Sequence, residues 1–164
     1  MSANAVPSPA QQVAALSLLA RTGRPFETRL TGVSMGSAIP DGAVVRIVPG
    51  GPGALVPGDV FAFSDETRIV AHRLVWCGRR GEARRYVIAL GDGNRFPDPP
   101  VPLDAIFGKV VAHSHGETWR EVPPPQLRSP LDQVMTAAAV LAMIVATEIH
   151  VPLAKWMAGF TIFK

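Results

Sequence analysis

Turn-forming residues punctuate this chain so often that they argue against a helical bundle: sixteen prolines and fifteen glycines cut 164 residues into short segments. Proline lacks the N–H that a helix interior needs, and glycine weakens helices and strands alike, so such frequent breaks favour short strands joined by turns. Extended segments are expected at Phe26 to Leu30, Val44 to Val48, Val60 to Phe63, Ile69 to Val75, Arg85 to Leu90 and Phe107 to His113. Pro40-Asp41-Gly42, Pro49-Gly50-Gly51-Pro52-Gly53 and Pro57-Gly58-Asp59 supply turns between them. No internal repeat is visible.

Two regions escape this pattern. Pro9 to Arg21 fits a short helix, with Ser8 as N-cap, Pro9 in the first turn, and Val13, Leu16 and Leu19 or Ala20 on one face. Gly23 is a natural stop. At the other end, Pro123-Pro124-Pro125 through Pro130 forms a stiff hinge before a chemically different tail. The expected organisation is therefore a helical segment over 1–24, a mainly β domain over 25–122, a proline-rich linker over 123–130 and an apolar helical tail over 131–164.

The tail bears on location. Val134 to Thr147 is fourteen uncharged, mainly apolar residues, short of the roughly twenty that span a bilayer. Glu148, His150 and Pro152 are expected to interrupt it before a second apolar run, Trp156 to Phe163. A membrane element, tilted or re-entrant, and a helix docked on the domain or a partner stand as equal readings, with Trp156, Phe160 and Phe163 suited to an interface. Pro7, Pro9, Gln11 and Gln12 break up the N-terminus, so no cleavable secretory signal is expected and the location is cytoplasmic or membrane-associated.

Composition excludes several functions. A net charge of +3, from sixteen basic and thirteen acidic residues, is too small an excess to indicate a nucleic-acid partner. The densest basic stretch, Arg79-Arg80 and Arg84-Arg85 around Gly81-Glu82-Ala83, fits a solvated hairpin tip. A lone cysteine, Cys77, rules out an internal disulfide framework or a multi-cysteine zinc site and is expected to pack. His113 and His115 lack evident further ligands, so neither a metal nor another cofactor is called for.

What remains is a candidate nucleophile, Ser34, in Leu30-Thr31-Gly32-Val33-Ser34-Met35. A serine hydroxyl needs a base within hydrogen-bonding reach, and a third group that orients the base improves it. The three lysines, Lys109, Lys155 and Lys164, are absent from the strand after Pro57-Gly58-Asp59-Val60, whereas His72 lies in the alternating run Arg68-Ile69-Val70-Ala71-His72-Arg73-Leu74-Val75. Imidazole is largely neutral near pH 7, as a general base must be. Asp92 and Asp98 compete as orienter. Asp92 sits in a Gly-Asp-Gly-Asn turn, where aspartate commonly bonds local backbone; Asp98 precedes Pro99-Pro100 in a rigid extended segment and is the better candidate.

Three blocks in this order resemble the signal peptidase and LexA-like serine peptidases, over about Leu18 to Ala112. They are Gly32-Val33-Ser34-Met35 with Ile39-Pro40-Asp41-Gly42-Ala43-Val44-Val45; Pro57-Gly58-Asp59-Val60-Phe61-Ala62-Phe63 with Val70-Ala71-His72-Arg73-Leu74-Val75; and Gly91-Asp92-Gly93-Asn94 with Asp98, Val101-Pro102 and Ile106-Phe107-Gly108-Lys109-Val110-Val111. His72-Arg73 matches the histidine-base signal peptidase type. The resemblance implies that family's β domain, a catalytic set of Ser34, His72 and Asp98 with Asp92 supporting, and a peptide or precursor-protein substrate. The nucleophile block departs from the family pattern: Gly36-Ser37 stands where a proline usually follows two residues after the methionine. Gly32 takes a position that carries a hydroxyl residue in some relatives, which leaves backbone N–H groups such as that of Ser34 as oxyanion donors. The alternative from another class is a peptide-binding module of the same fold that is catalytically weak or inactive.

Overall fold

The proline- and glycine-rich breaks separate apolar runs short enough to be strands, and in the computed structural model those runs pair into one antiparallel sheet. Residues 8–65, 68–80, 83–114, 116–125 and 129–160 are described. The strands are β1 (Phe26–Arg29), β2 (Val44–Val48), β3 (Val60–Asp65), β4 (Arg68–Arg80), β5 (Ala83–Leu90), β6 (Val101–Pro102), β7 (Ile106–Ser114) and β8 (Trp119–Glu121). Their order across the sheet is β1-β2-β7-β3-β4-β5-β6, with β8 added to β7. Register shifts at Arg46/Ile47, Ala62/Phe63 and Leu74/Trp76 bend the strands, and the sheet curls into a half-barrel.

Alternation along β3 explains its continuous apolar sequence. Val60 and Ala62 enter one core cluster with Phe26, Met35, Ile39, Val45 and Ile47, while Phe61 and Phe63 enter a second with Leu55, Leu74, Val87 and Val101. A strand buried on both faces has no need of polar alternation. β5 follows the same logic, with Val87 and Ala89 in the second cluster and Tyr86 and Ile88 in a third. β4 extends to Arg80, five residues past its expected end, because it pairs with β5 out to Ala83. The tip at Gly81-Glu82 lies outside the described residues.

Helix α1 (Pro9–Arg21) carries a capping box, in which Ser8 Oγ accepts from Gln11 N–H and the Gln11 side chain accepts from Ser8 N–H. It buries Leu16 against the first cluster with Val13 and Ala20 alongside, so Ala20 rather than the exposed Leu19 completes the packed face.

Helix α2 (Pro130–Phe160) is the expected apolar helical tail, and it runs for 31 residues through Glu148, His150 and Pro152, a length of about 46 Å at 1.5 Å per residue. Pro152 cannot donate to the carbonyl four residues earlier, and the helix continues on both sides of it. Ser129 starts the helix, its Oγ accepting from Asp132 N–H, with Pro130 at the first position. Val140, Met143 and Ile144 pack on Tyr86, Ile88, Val75 and Trp76. The opposite face presents Leu131, Val134, Ala138, Leu141 and Val145 to solvent. The stretch Pro130–Thr147, with mean hydropathy 1.5 and almost no burial, is long and apolar enough to cross a membrane. Residues 161–163 of the second apolar run lie outside the described residues, as do 126–128 of the linker.

Candidate active site

Ser34 sits in a tight turn after β1, fixed from several sides. The buried Met35 anchors it in the first core cluster. Gly36 N–H donates to Val33 O at 2.9 Å, and Gly93 N–H donates to Ser34 O at 2.7 Å. Gly36 has φ +54°, a left-handed conformation that glycine adopts without penalty. The turn closes through Gly36 and aims Ser34 at the base.

His72, in the middle of β4, is 4 % exposed. Ser34 Oγ–H donates to His72 Nε2 at 2.8 Å, and His72 Nδ1–H donates to Asp98 Oδ2. The carboxylate thereby selects the tautomer whose Nε2 lone pair faces the serine. Asp98 is held by its backbone, its N–H donating to Ala89 O at 2.8 Å. The Phe63 ring meets the imidazole edge-on, at 6.1 Å between centroids, and closes its other side.

Asp92, expected to support the catalytic set, lies outside this chain of bonds. Its carboxylate takes a two-pronged contact from Arg73, Nε to Oδ1 at 2.8 Å and Nη2 to Oδ2 at 2.6 Å. Arg73 also donates to Gly58 O at 2.7 Å and to Pro123 O at 3.1 Å. His72 and Arg73 are neighbours on a strand, so they project from opposite faces. The ion pair fixes the 91–94 turn, and that turn holds Ser34 through Gly93.

Gly91 has a steric role in the same turn. A Cβ there would stand 2.5 Å from Ser34 O, closer than real side chains approach, and a tight 3.0 Å from His72 Nε2. Asp41 is a further positioning group: its Oδ1 accepts from Gly32 N–H at 2.7 Å and ties the strand before Ser34 to the Pro40-Asp41-Gly42 turn. Sequence reading missed Arg73, Gly91 and Asp41. Only Arg73 carried a signal, a basic residue facing away from the candidate base in an otherwise apolar strand.

Lys109, the lysine whose side chain is described, is bound to Asp59 at 2.7 Å. His113 is buried in β7, and His115 lies outside the described residues. Among the described residues no cluster of three or more histidine, cysteine, aspartate or glutamate side chains is placed to hold a metal.

Grooves flank the serine and histidine. One, of about 340 Å³, runs between Leu30–Met35 and Arg68–His72; another, of about 660 Å³, runs past Phe63, Asp98 and Pro99–Pro102. Among the described residues, Arg68 to His72 pair only with β3, since the ladder to β5 begins at Arg73. The bottom of the first groove is thus an open strand edge ending at His72. A scan against protein-family models returns no match for the chain, and neither does a search of curated proteins.

Proposed function

We propose that this protein is a serine endopeptidase of the signal peptidase and LexA-like type, acting on an extended peptide or precursor protein. The observation that carries the reading is the continuous relay from Ser34 Oγ to His72 Nε2 and from His72 Nδ1 to Asp98. In this reading Ser34 attacks the scissile carbonyl as His72 takes its proton, and Asp98 stabilises the imidazolium that forms. His72 then protonates the leaving amine, and water, activated by the same imidazole, releases the acyl group from Ser34. Asp41 occupies Gly32 N–H, which leaves the backbone N–H of Ser34 to donate to the oxyanion.

The substrate class follows from the groove. A peptide laid along the free edge of Arg68–His72 would gain main-chain hydrogen bonds and run its carbonyl past Ser34. The apolar outward face of α2 supports docking on a membrane surface, and the domain packed on the other face favours lying along the interface over spanning it.

A fluorophosphonate probe provides the direct test. It is expected to add a single adduct on Ser34, located by peptide mass spectrometry, and to leave Ser34→Ala and His72→Ala unlabelled. Absence of an adduct in folded wild type, under conditions that label an active peptidase of this type, would overturn the enzyme reading in favour of a peptide-binding module.

A further inference from the structure

The 91–94 turn brings one more polar side chain to the reacting atoms. Asn94 lines the smaller groove together with Ser34, His72 and Asp98. The point where a Cβ would stand at Gly91 lies 3.0 Å from His72 Nε2, 2.9 Å from Asn94 Nδ2 and 2.5 Å from Ser34 O. Those three atoms therefore surround one small space, kept open because residue 91 has no side chain. The Asn94 backbone is pinned as well: its N–H donates to Gly91 O at 2.9 Å, and the adjoining Gly93 N–H donates to Ser34 O at 2.7 Å. The carboxamide thus reaches toward the imidazole from a backbone already fixed relative to the nucleophile.

His72 Nε2 has two proton donors to serve in turn. It first accepts from Ser34 Oγ–H at 2.8 Å. Once Oγ carries the acyl group that donor is gone, and a water has to take its place. A water held by one nitrogen alone is poorly fixed, since ordered waters in proteins make about three hydrogen bonds.

We propose that Asn94 Nδ2–H holds this deacylating water against His72, an inference that rests on the peptidase reading. An amide nitrogen carries two N–H bonds, so it can keep a contact within the turn and still donate to a water. With Nδ2 donating to one lone pair and Nε2 accepting one proton, the other lone pair of the water is left for the acyl carbon. As the water oxygen bonds that carbon, its proton passes to Nε2; the C–Oγ ester bond then breaks, and Oγ takes the proton back from the imidazolium. Arg68, the long cationic side chain of the same groove, is worse placed: it lies four residues along the strand from His72, roughly 13 Å away, and is tied to Asp65 at 3.2 Å.

The test separates the two halves of the cycle. Ser34 is acetylated with p-nitrophenyl acetate; nitrophenolate release reads acylation, and the mass of the intact chain reads loss of the acetyl group. Asn94→Ala, and Asn94→Leu, which keeps the volume and deletes both N–H bonds, are expected to acquire the acetyl group and a fluorophosphonate at the wild-type rate. Both should lose the acetyl group about tenfold more slowly, the worth of one hydrogen bond. Should one variant fail to fold, the other decides. Equal slowing of both steps would overturn the proposal and leave Asn94 a part of the turn alone, and deacetylation at the wild-type rate would overturn it outright. Absence of any adduct on Ser34 in folded wild type would instead remove the peptidase reading, and this inference with it.

Discussion

His72 and Arg73 are consecutive residues of one strand, and they serve two unlike regions. On the His72 face, a single serine meets a single imidazole in a groove lined by an unpaired strand edge, and the arrangement is specified by two hydrogen bonds. On the Arg73 face, one guanidinium gathers Gly58, Asp92 and Pro123 beneath a helix, and the arrangement is specified by burial and charge. The turn at 91–94 belongs to both, because Asp92 binds Arg73 while Gly93 binds Ser34. The contrast teaches that chemistry and scaffolding can be separated by one residue in sequence, since a pleated strand sends neighbours to opposite sides.

That contrast predicts that damage on the two faces has different signatures. The largest effect is expected from Ser34→Ala or His72→Ala, a loss of roughly 10⁶-fold in kcat toward a cleavable peptide with thermal unfolding unchanged. Asp98→Asn should cost roughly 10⁴-fold in kcat, again with stability intact, because the amide imposes the wrong tautomer on His72. Asp92→Asn should show the reverse signature. Leaving the buried Arg73 without its charge partner costs about 3 kcal/mol of stability, read by urea unfolding, while activity of the folded fraction falls far less. Equal kinetic loss in Asp92→Asn and Asp98→Asn would break the division between faces.

The shared turn lies between these extremes. Gly91→Ala should displace Ser34 and His72 from one another and lower kcat/KM about 100-fold, with circular dichroism unaltered. The smallest effect belongs to Gly36→Ala, where a left-handed φ costs about 1 kcal/mol of stability. A larger kinetic than thermodynamic effect at Gly36 would show that the turn has to hold Ser34 more rigidly than its hydrogen bonds imply.

Much of the Ser34-His72-Asp98 site was legible in residue order. The absence of lysine from the relevant strand left His72, and the rigid setting before Pro99-Pro100 favoured Asp98 over Asp92; the structure brings those residues together. The Arg73 face was not legible. Its partner is nineteen residues away across a hairpin whose register slips at Leu74/Trp76, and such slips leave no periodic mark in sequence. The helical tail was legible from its apolar composition, whereas its docking through Val140, Met143 and Ile144 on the sheet was not, since the sequence left a docked helix and a membrane element as equal readings.

The guanidinium of Arg73 also joins segments that are made far apart in time. Its acceptors come from residues 58, 92 and 123, so they leave the ribosome in that order, and the last arrives well after Ser34, His72 and Asp98 have all emerged. A nascent chain that stops short of Pro123 owns every group of the relay yet lacks the final tie on the scaffold behind it. The scaffold behind the relay is thereby closed by a residue that follows every group of the relay along the chain.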